Sequence, residues 1–213
     1  MTIEWITPEL AAFLTIAEKE ELRIPQERQG ELRHVAEWIA GRLAAGQPAE
    51  LVFICTHNSR RSHFSQIWAA IAAFGTGLDA VRTFSGGTEV TAMNERVADS
   101  LRRSGLVVNA ENPAEPNPRF QIRFAASQPP LVCFSKIFHH PPNPQRDYCA
   151  VMTCSHADDA CPVVPGCSLR VPVRYTDPKV ADGTADEARV YDERSREICR
   201  EMLYLMRMAG AAA

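Results

Sequence analysis

The chain has 213 residues, of which 46% are hydrophobic and 23% are charged, and its formal net charge is −3. This length suffices for one sizeable domain, and the composition is typical of a globular protein. A slightly acidic chain is not expected to bind nucleic acid, and no apolar run approaches the ~20 residues of a membrane span. The N-terminal stretch lacks the basic start of a secretory signal, so we expect a cytoplasmic protein without a membrane partner.

The first 48 residues are predicted to form two helices. Thr7 is a suitable N-cap, Pro8 follows at the first helical position, and apolar residues then recur at helical spacing. A second amphipathic pattern runs from Glu27 to Gly46, where the glycine is a stop signal. We expect residues 1–48 to be a helical extension that covers one side of the sheet, and residues 49–213 to be the main domain.

From residue 51 the pattern changes to short strands that alternate with helices. The run LVFI is continuously apolar, which is typical of a parallel strand covered on both faces. The predicted elements that follow are a helix over 62–75, a strand over 80–87, a helix over 92–105 and a strand over 148–154. This alternation favours an α/β fold with a mostly parallel sheet.

Two later segments complete the prediction. Residues 107–147 read as an insertion, in which FQIRF and PLVCF could pair as a hairpin whose prolines favour the edge of a sheet. The chain closes with a long helix that we expect to begin near Thr184, because Thr184 and Glu187 have the spacing of a capping box.

The stretch CTHNSRRS, residues 55–62, follows the first predicted strand and leads into a helix. Ligands of open α/β sheets bind at this edge, where loop N–H groups and a helix N-terminus attract anions. Arg61 offers two donors to a tetrahedral oxyanion, and the same positive surroundings favour the nucleophilic thiolate of Cys55. The alternative is a buried cysteine beside a solvated arginine. The loop predicted to bind the oxyanion consists of Thr56, His57, Asn58, Ser59, Arg60, Arg61 and Ser62.

At these residues the sequence resembles the low-molecular-weight protein tyrosine phosphatase superfamily, whose loop reads C-x-G-N-x-C-R-S. The resemblance implies a three-layer α/β fold with a mostly parallel four-stranded sheet and helices on both faces. It also implies that Cys55 is the nucleophile, that Arg61 holds the oxyanion and that Ser62 donates a hydrogen bond to the thiolate.

Three loop positions deserve comparison with that pattern. Asn58 matches it and is expected in a left-handed conformation, which asparagine tolerates. His57 stands in place of the glycine, and Arg60 in place of the second cysteine. Some enzymes of that superfamily hold potassium near the asparagine, but Gln66 occupies the position where an acidic ligand would be expected, so we predict no metal ion.

A general acid is expected late in the chain, because the leaving group must be protonated. Asp177 precedes Pro178 in an evident loop, and the superfamily carries its acid in such an Asp-Pro pair. The resemblance therefore implies that Asp177 is the acid. The alternative is a turn without chemical importance.

A second pair of thiols, Cys154 and Cys161, lies in the sequence CSHADDACP after the strand at 148–154. This segment resembles the thioredoxin-coupled arsenate reductases, which keep two cysteines at this spacing. Tyrosine phosphatases usually lack the pair and follow Asp-Pro with aromatic residues, whereas Lys179 and Val180 follow it here. A metal half-site is not favoured, because His156 lies between the cysteines without a second close ligand pair.

The resemblance implies a thiol relay from Cys55 through Cys154 to Cys161, which would reduce arsenate to arsenite. A thioredoxin-like partner would then reduce the Cys154–Cys161 disulfide, and no bound cofactor is expected. Two alternatives remain open at this point. One is a protein tyrosine phosphatase that hydrolyses phosphomonoesters through a cysteinyl-phosphate, and the other is a non-catalytic oxyanion sensor.

Overall fold

The fold was obtained as a computed structural model that describes residues 4–160 and 163–212. Two segments, Glu21–Arg23 and Pro178–Ala181, form one-turn 3-10 helices. In chain order, the helices and strands are α1 (Pro8–Lys19), α2 (Gln26–Ala44), β1 (Ala49–Cys55), α3 (Arg61–Gly75), β2 (Val81–Gly87), α4 (Glu95–Arg103), β3 (Val107–Glu111), β4 (Arg119–Arg123), β5 (Leu131–Cys133), β6 (Tyr148–Met152), α5 (Ser155–Ala160), β7 (Cys167–Pro172) and α6 (Glu187–Ala212).

The central sheet has four parallel strands in the order β2-β1-β6-β7. Cys55 at the end of β1 pairs in register with Gly87 of β2, while Ile54 pairs with Met152 of β6. Strand β2, which follows β1 in the chain, lies on one side of β1, and the later strand β6 lies on its other side. The strand order therefore reverses between β1 and β6, and this position is a topological switch point. In open α/β sheets, ligands bind in the crevice at this point, outside the carboxyl ends of the strands.

One side of the sheet, which we call the helical face, carries most of the core. Helix α6 packs against α1, α2, α3 and α4, and α2 also contacts β1 and β7, so the expected covering of one side by the N-terminal helices is observed. Trp68 of α3 is fully buried, stacks on Phe13 of α1 and donates its Nε1–H to Ser195 of α6 at 3.0 Å. The domain boundary at residue 48 stays a prediction.

The opposite side, which we call the thin face, is covered by the six-residue helix α5 and by part of the segment before β6. Both Cys55 and Cys154 belong to this smaller cluster. Its buried members are Val52, Ile54, Cys55, Tyr148, Ala150, Met152, Cys154, Ala157 and Val164. The predicted α/β class, a parallel four-stranded sheet flanked by helices, is therefore confirmed.

The predicted hairpin exists, and β5, the strand that follows its prolines, lies at the edge of a sheet, but this sheet is separate from the central one. Strands β4 and β5 pair antiparallel and join β3 in a separate sheet of order β3-β4-β5. Val108, Phe120 and Ile122 are buried in the core of the helical face. Because β4 buries apolar side chains there and needs partners on both edges, β3 supplies the second partner, which the sequence pattern did not reveal.

The predicted capping box of the last helix is also displaced. Helix α6 begins at Glu187, not near Thr184, and the Glu187 carboxylate accepts a hydrogen bond from Gly183 N–H at 2.6 Å. Thr184 Oγ1 accepts from Asp186 N–H at 3.3 Å. Thr184 N–H already donates to Ala181 O, so it is not free for the reciprocal bond of a capping box. Among the helices of the described ranges, none has the length and apolar character needed to cross a bilayer.

Candidate active site

The loop after β1 lies directly against the end of β2. Cys55 is 3% exposed, and the backbone of the loop after it approaches Gly87 so closely that a side chain there is excluded. A Cβ atom on Gly87 would lie 2.6 Å from Thr56 O and 2.8 Å from Asn58 N, closer than real Cβ contacts. Two consecutive glycines at the end of a strand, Gly86 and Gly87, were the sequence signal for this approach, and our sequence analysis missed it.

A chain of hydrogen bonds ends at the Cys55 sulfur. Lys136 N–H donates to Asn58 Oδ1 at 3.0 Å, Asn58 Nδ2 donates to Ser62 Oγ at 2.8 Å, and Ser62 Oγ lies 3.1 Å from Cys55 Sγ. Because Ser62 Oγ accepts from Asn58, its own hydrogen is available for the sulfur. Asn58 has φ +44°, the left-handed conformation predicted from the sequence. Ser62 is therefore placed to donate to the Cys55 sulfur, and its implied role as a donor to the thiolate stays a prediction.

The backbone of the loop offers unused donors. Its carbonyls accept from outside the loop: Thr56 O from Glu89 N–H, His57 O from Ser135 Oγ, and Ser59 O from Asn94 N–H, all at 2.8–3.0 Å. The N–H groups of residues 56–60, in contrast, have no acceptor among the residues that the structure describes. Successive free N–H groups form the kind of nest that binds anions.

Arg61 and Asp177 meet beside this loop. Arg61 Nη2 donates to Asp177 Oδ2 at 2.7 Å and Nη1 donates to Tyr175 O at 3.1 Å. Arg61 Nε is buried and has no acceptor in the described part of the chain. The other Asp177 oxygen accepts from Lys179 N–H and caps the 3-10 turn that starts at Pro178. The structure therefore brings the predicted clamp and the predicted acid together, although they are far apart in the chain.

The Arg60 side chain is hydrogen-bonded to two residues that the sequence analysis did not find. Its Nε donates to Tyr191 OH at 2.7 Å and its Nη2 to Asp182 Oδ2 at 3.2 Å, while Tyr191 OH donates to Asp182 Oδ1 at 2.8 Å. Burial raises the pKa of Tyr191 to about 12, so its hydroxyl stays protonated at neutral pH. The charge of Arg60 is therefore paired with Asp182, and its Nε also lies 4.0 Å from Asp177 Oδ1.

Cys154 follows β6 and lies against the loop. It is 1% exposed, its sulfur lies 3.5 Å from Thr56 Oγ1, and Ala157 N–H donates to the same sulfur at 3.3 Å. The helix that begins after it is fastened to β7 and the following residues, because the buried Asp158 carboxylate pairs with Arg170 and Arg174. Cys161, the second thiol predicted for the relay, lies outside the described residues.

Behind the loop is a buried cluster that was not predicted. His63 is completely buried, and burial lowers its pKa to about 3; its Nδ1 lies 3.3 Å from Ser85 Oγ. Burial also lowers the pKa of Lys136 and raises that of Cys133 to about 12. In the described ranges, no group of three or more His, Cys, Asp or Glu side chains has an arrangement that could hold a metal ion.

Comparisons with known proteins add distant structural likenesses. No protein-family model matches the chain, and neither does any curated protein. A low-molecular-weight phosphotyrosine phosphatase from Vibrio cholerae O395 is 13% identical with a TM-score of 0.47, covering 74% of this chain and 94% of its own. A mutant of YwlE from Bacillus subtilis is 12% identical with a TM-score of 0.46, covering 75% and 97%. At these values the likenesses assign neither a substrate nor a reaction to this chain.

Proposed function

We propose that this protein is an arsenate reductase in which Cys55 attacks the substrate and Cys154 receives the oxidation. The observation that carries the proposal is the 3.5 Å approach of Cys154 Sγ to the hydroxyl of Thr56, the residue after the nucleophile. A second buried thiol at the nucleophile's loop has a clear use in a relay and none in simple ester hydrolysis. The sequence resemblance of residues 154–162 to thioredoxin-coupled reductases supports the same reaction.

In the first step, arsenate binds to the free N–H groups of residues 56–60 and to the Arg61 guanidinium. The Cys55 thiolate attacks arsenic, so a sulfur–arsenic bond forms and an arsenic–oxygen bond breaks. The leaving hydroxide takes a proton from Asp177 and departs as water. Arsenic remains pentavalent in this adduct, because no electron pair has yet moved to it.

In the second step, the Cys154 thiolate attacks the Cys55 sulfur. The new disulfide bond forms as the sulfur–arsenic bond breaks, and the electron pair of that bond stays on arsenic, which leaves as trivalent arsenite. The thiolate of Cys161 then attacks the Cys154 sulfur and releases Cys55. A thioredoxin-like dithiol reduces the resulting Cys154–Cys161 disulfide. The part of Cys161 rests on the sequence resemblance, since it lies outside the described residues.

A second candidate is a phosphatase that acts on phosphomonoesters through a cysteinyl-phosphate. The Arg61–Asp177 pair favours it, because a clamp and an acid at 2.7 Å serve that reaction without a second thiol. The residues after Pro178 argue against an aromatic substrate, since Lys179 and the exposed Val180 offer no ring to stack on it. A non-catalytic oxyanion sensor is less suited still, because it needs neither nucleophile nor acid.

The test compares Cys154→Ser with Cys167→Ser, a substitution at a half-buried thiol of the same face. Each variant is assayed for thioredoxin-coupled arsenate reduction and for hydrolysis of p-nitrophenyl phosphate. For a reductase, Cys154→Ser loses about 100-fold or more of the arsenate turnover but keeps the hydrolysis, while Cys167→Ser keeps both. If the protein hydrolyses phosphotyrosine efficiently and Cys154→Ser has no effect on either activity, the protein is a phosphatase and not a reductase.

A further inference from the structure

The Thr56 hydroxyl lies between a buried thiol and an exposed imidazole. Thr56 Oγ1 is 3.5 Å from Cys154 Sγ and 3.3 Å from His156 Nδ1. Among the described residues these two atoms are its hydrogen-bond partners. Cys154 is nearly inaccessible, whereas His156 is exposed on the first turn of α5. A continuous path of polar atoms therefore joins the buried sulfur to a titratable group in contact with solvent.

The three groups can pass one proton along this path. A hydroxyl donates one hydrogen and accepts through its lone pairs, so Thr56 can accept from the Cys154 thiol while it donates to His156 Nδ1. If both hydrogens move one position, the thiol proton goes to Thr56 and the hydroxyl proton goes to His156. Thr56 is unchanged, Cys154 becomes a thiolate and His156 becomes an imidazolium. The Ala157 N–H at 3.3 Å from the sulfur stabilises the thiolate that remains.

We propose that His156, acting through the Thr56 hydroxyl, is the proton acceptor that activates Cys154. This inference rests on the proposed function, because Cys154 needs activation as the second nucleophile of a relay. The thiolate is the reactive form of cysteine, and a buried thiol has no water to take its proton. Because His156 is exposed, its ring can pass a proton on to solvent. His156 is thus a positioning and proton-transfer residue for Cys154.

Other titratable groups near this path have different partners. Cys55 adjoins Thr56 in the chain but lies against Ser62. On α5, the Asp158 carboxylate is paired with Arg170 and Arg174, and Asp159 is exposed. The protonation of Cys154 is therefore expected to respond to His156 and Thr56 more than to these neighbours.

The experiment measures thiolate absorbance at 240 nm, which needs no reagent to reach the buried sulfur. Each protein is compared with its own Cys154→Ser counterpart from pH 5 to 9, so that the difference reports Cys154. The set is the wild type, His156→Asn, Thr56→Val and Thr56→Ser. We expect His156→Asn and Thr56→Val to lower the Cys154 thiolate signal at pH 7 about fivefold, and Thr56→Ser, which keeps the hydroxyl, to retain it.

Cys167 is the matched control. Its thiolate signal is the difference between each protein and the same protein carrying Cys167→Ser. This signal is expected to be the same in the wild type, in His156→Asn and in Thr56→Val. The proposal is overturned if the Cys154 profile is unmoved by His156→Asn, whatever Thr56→Val does, or if Thr56→Ser loses as much signal as Thr56→Val.

The same proteins separate this inference from the proposed function. A Cys154 profile that shifts as expected in a protein that does not reduce arsenate supports the proton path and rejects the reductase. Normal arsenate turnover with an unmoved Cys154 profile rejects the proton path and keeps the reductase.

Discussion

The helical face and the thin face of the central sheet differ in how much apolar side chain they bury and in what lies at their edges. The helical face packs against α2, α3 and α6 and contains the large rings of Trp68 and Phe64. Among the described residues the thin face has a buried cluster of nine, and two of its members are Cys55 and Cys154. The comparison shows a division of labour in the packing: the helical face holds most of the core, and the thin face holds Cys55 and Cys154, the two thiols assigned to the proposed reaction.

The largest expected effect comes from replacing a cysteine by serine on each face of the sheet and comparing turnover and stability. Cys55→Ser removes the nucleophile and is expected to lower turnover by roughly 1,000-fold or more, with little change in the free energy of unfolding. Cys149→Ser, on the helical face of the neighbouring β6, is expected to lower the free energy of unfolding by about 1–3 kcal/mol and leave turnover intact. Steady-state assays measure turnover, and urea unfolding measures the free energy of unfolding. If Cys55→Ser keeps its turnover, the assignment of the reaction to the thin face is wrong.

The second prediction concerns Glu201, which is 1% exposed on α6 and accepts a hydrogen bond from Tyr175 OH at 2.7 Å. Burial raises the pKa of Glu201 from 4.5 to about 7, although Arg28 acts in the opposite direction. The protonated carboxyl therefore stabilises the fold fully below pH 4.5, and this contribution is lost as the pH rises through about 7.

Glutamine cannot ionise, so the stability of Glu201→Gln relative to the wild type is expected to rise by about 3 kcal/mol between pH 4.5 and pH 8. Urea unfolding at the two pH values measures this difference. A difference that does not change with pH would contradict the prediction, and a loss of turnover would show that this buried acid of the helical face also serves the site.

The third prediction tests the acid at the edge of the sheet. Asp177→Asn keeps a hydrogen-bond acceptor for Arg61 but cannot donate a proton, so turnover is expected to fall about 100-fold. If Asp177 is a general acid, its loss affects phenyl phosphate more than 2,4-dinitrophenyl phosphate, because the second leaving group needs no proton. Equal losses for both esters would instead indicate that Asp177 only positions Arg61.

The smallest expected effect lies at the start of α1. Thr7 Oγ1 accepts from Leu10 N–H at 3.1 Å and donates to Gly105 O at 2.7 Å, so it caps the helix and joins it to the end of α4. Thr7→Ala is expected to lower the free energy of unfolding by about 1 kcal/mol and to leave turnover unchanged. Thr7→Ser, which keeps the hydroxyl, is the control and is expected to recover most of the loss.

The sequence alone determined the features that depend on neighbours in the chain. The strand–loop–helix around CTHNSRRS, the left-handed Asn58 and the Thr7 cap follow from residue types at short spacing, and each is observed. The roles of Cys55, Arg61, Asp177, Cys154 and Cys161 stay predictions, since their chemistry awaits the assays above.

Tertiary structure decided the contacts between distant segments. Lys136 N–H orients Asn58 across 78 positions, and Tyr191 holds Arg60 across 131. The close approach of the loop to Gly87 and the separate β3-β4-β5 sheet likewise arise when whole elements pack together. The conformational preferences of single residues do not predict such pairings. A backbone N–H or a phenol hydroxyl can form the same hydrogen bond with any suitable partner that packing brings within about 3 Å.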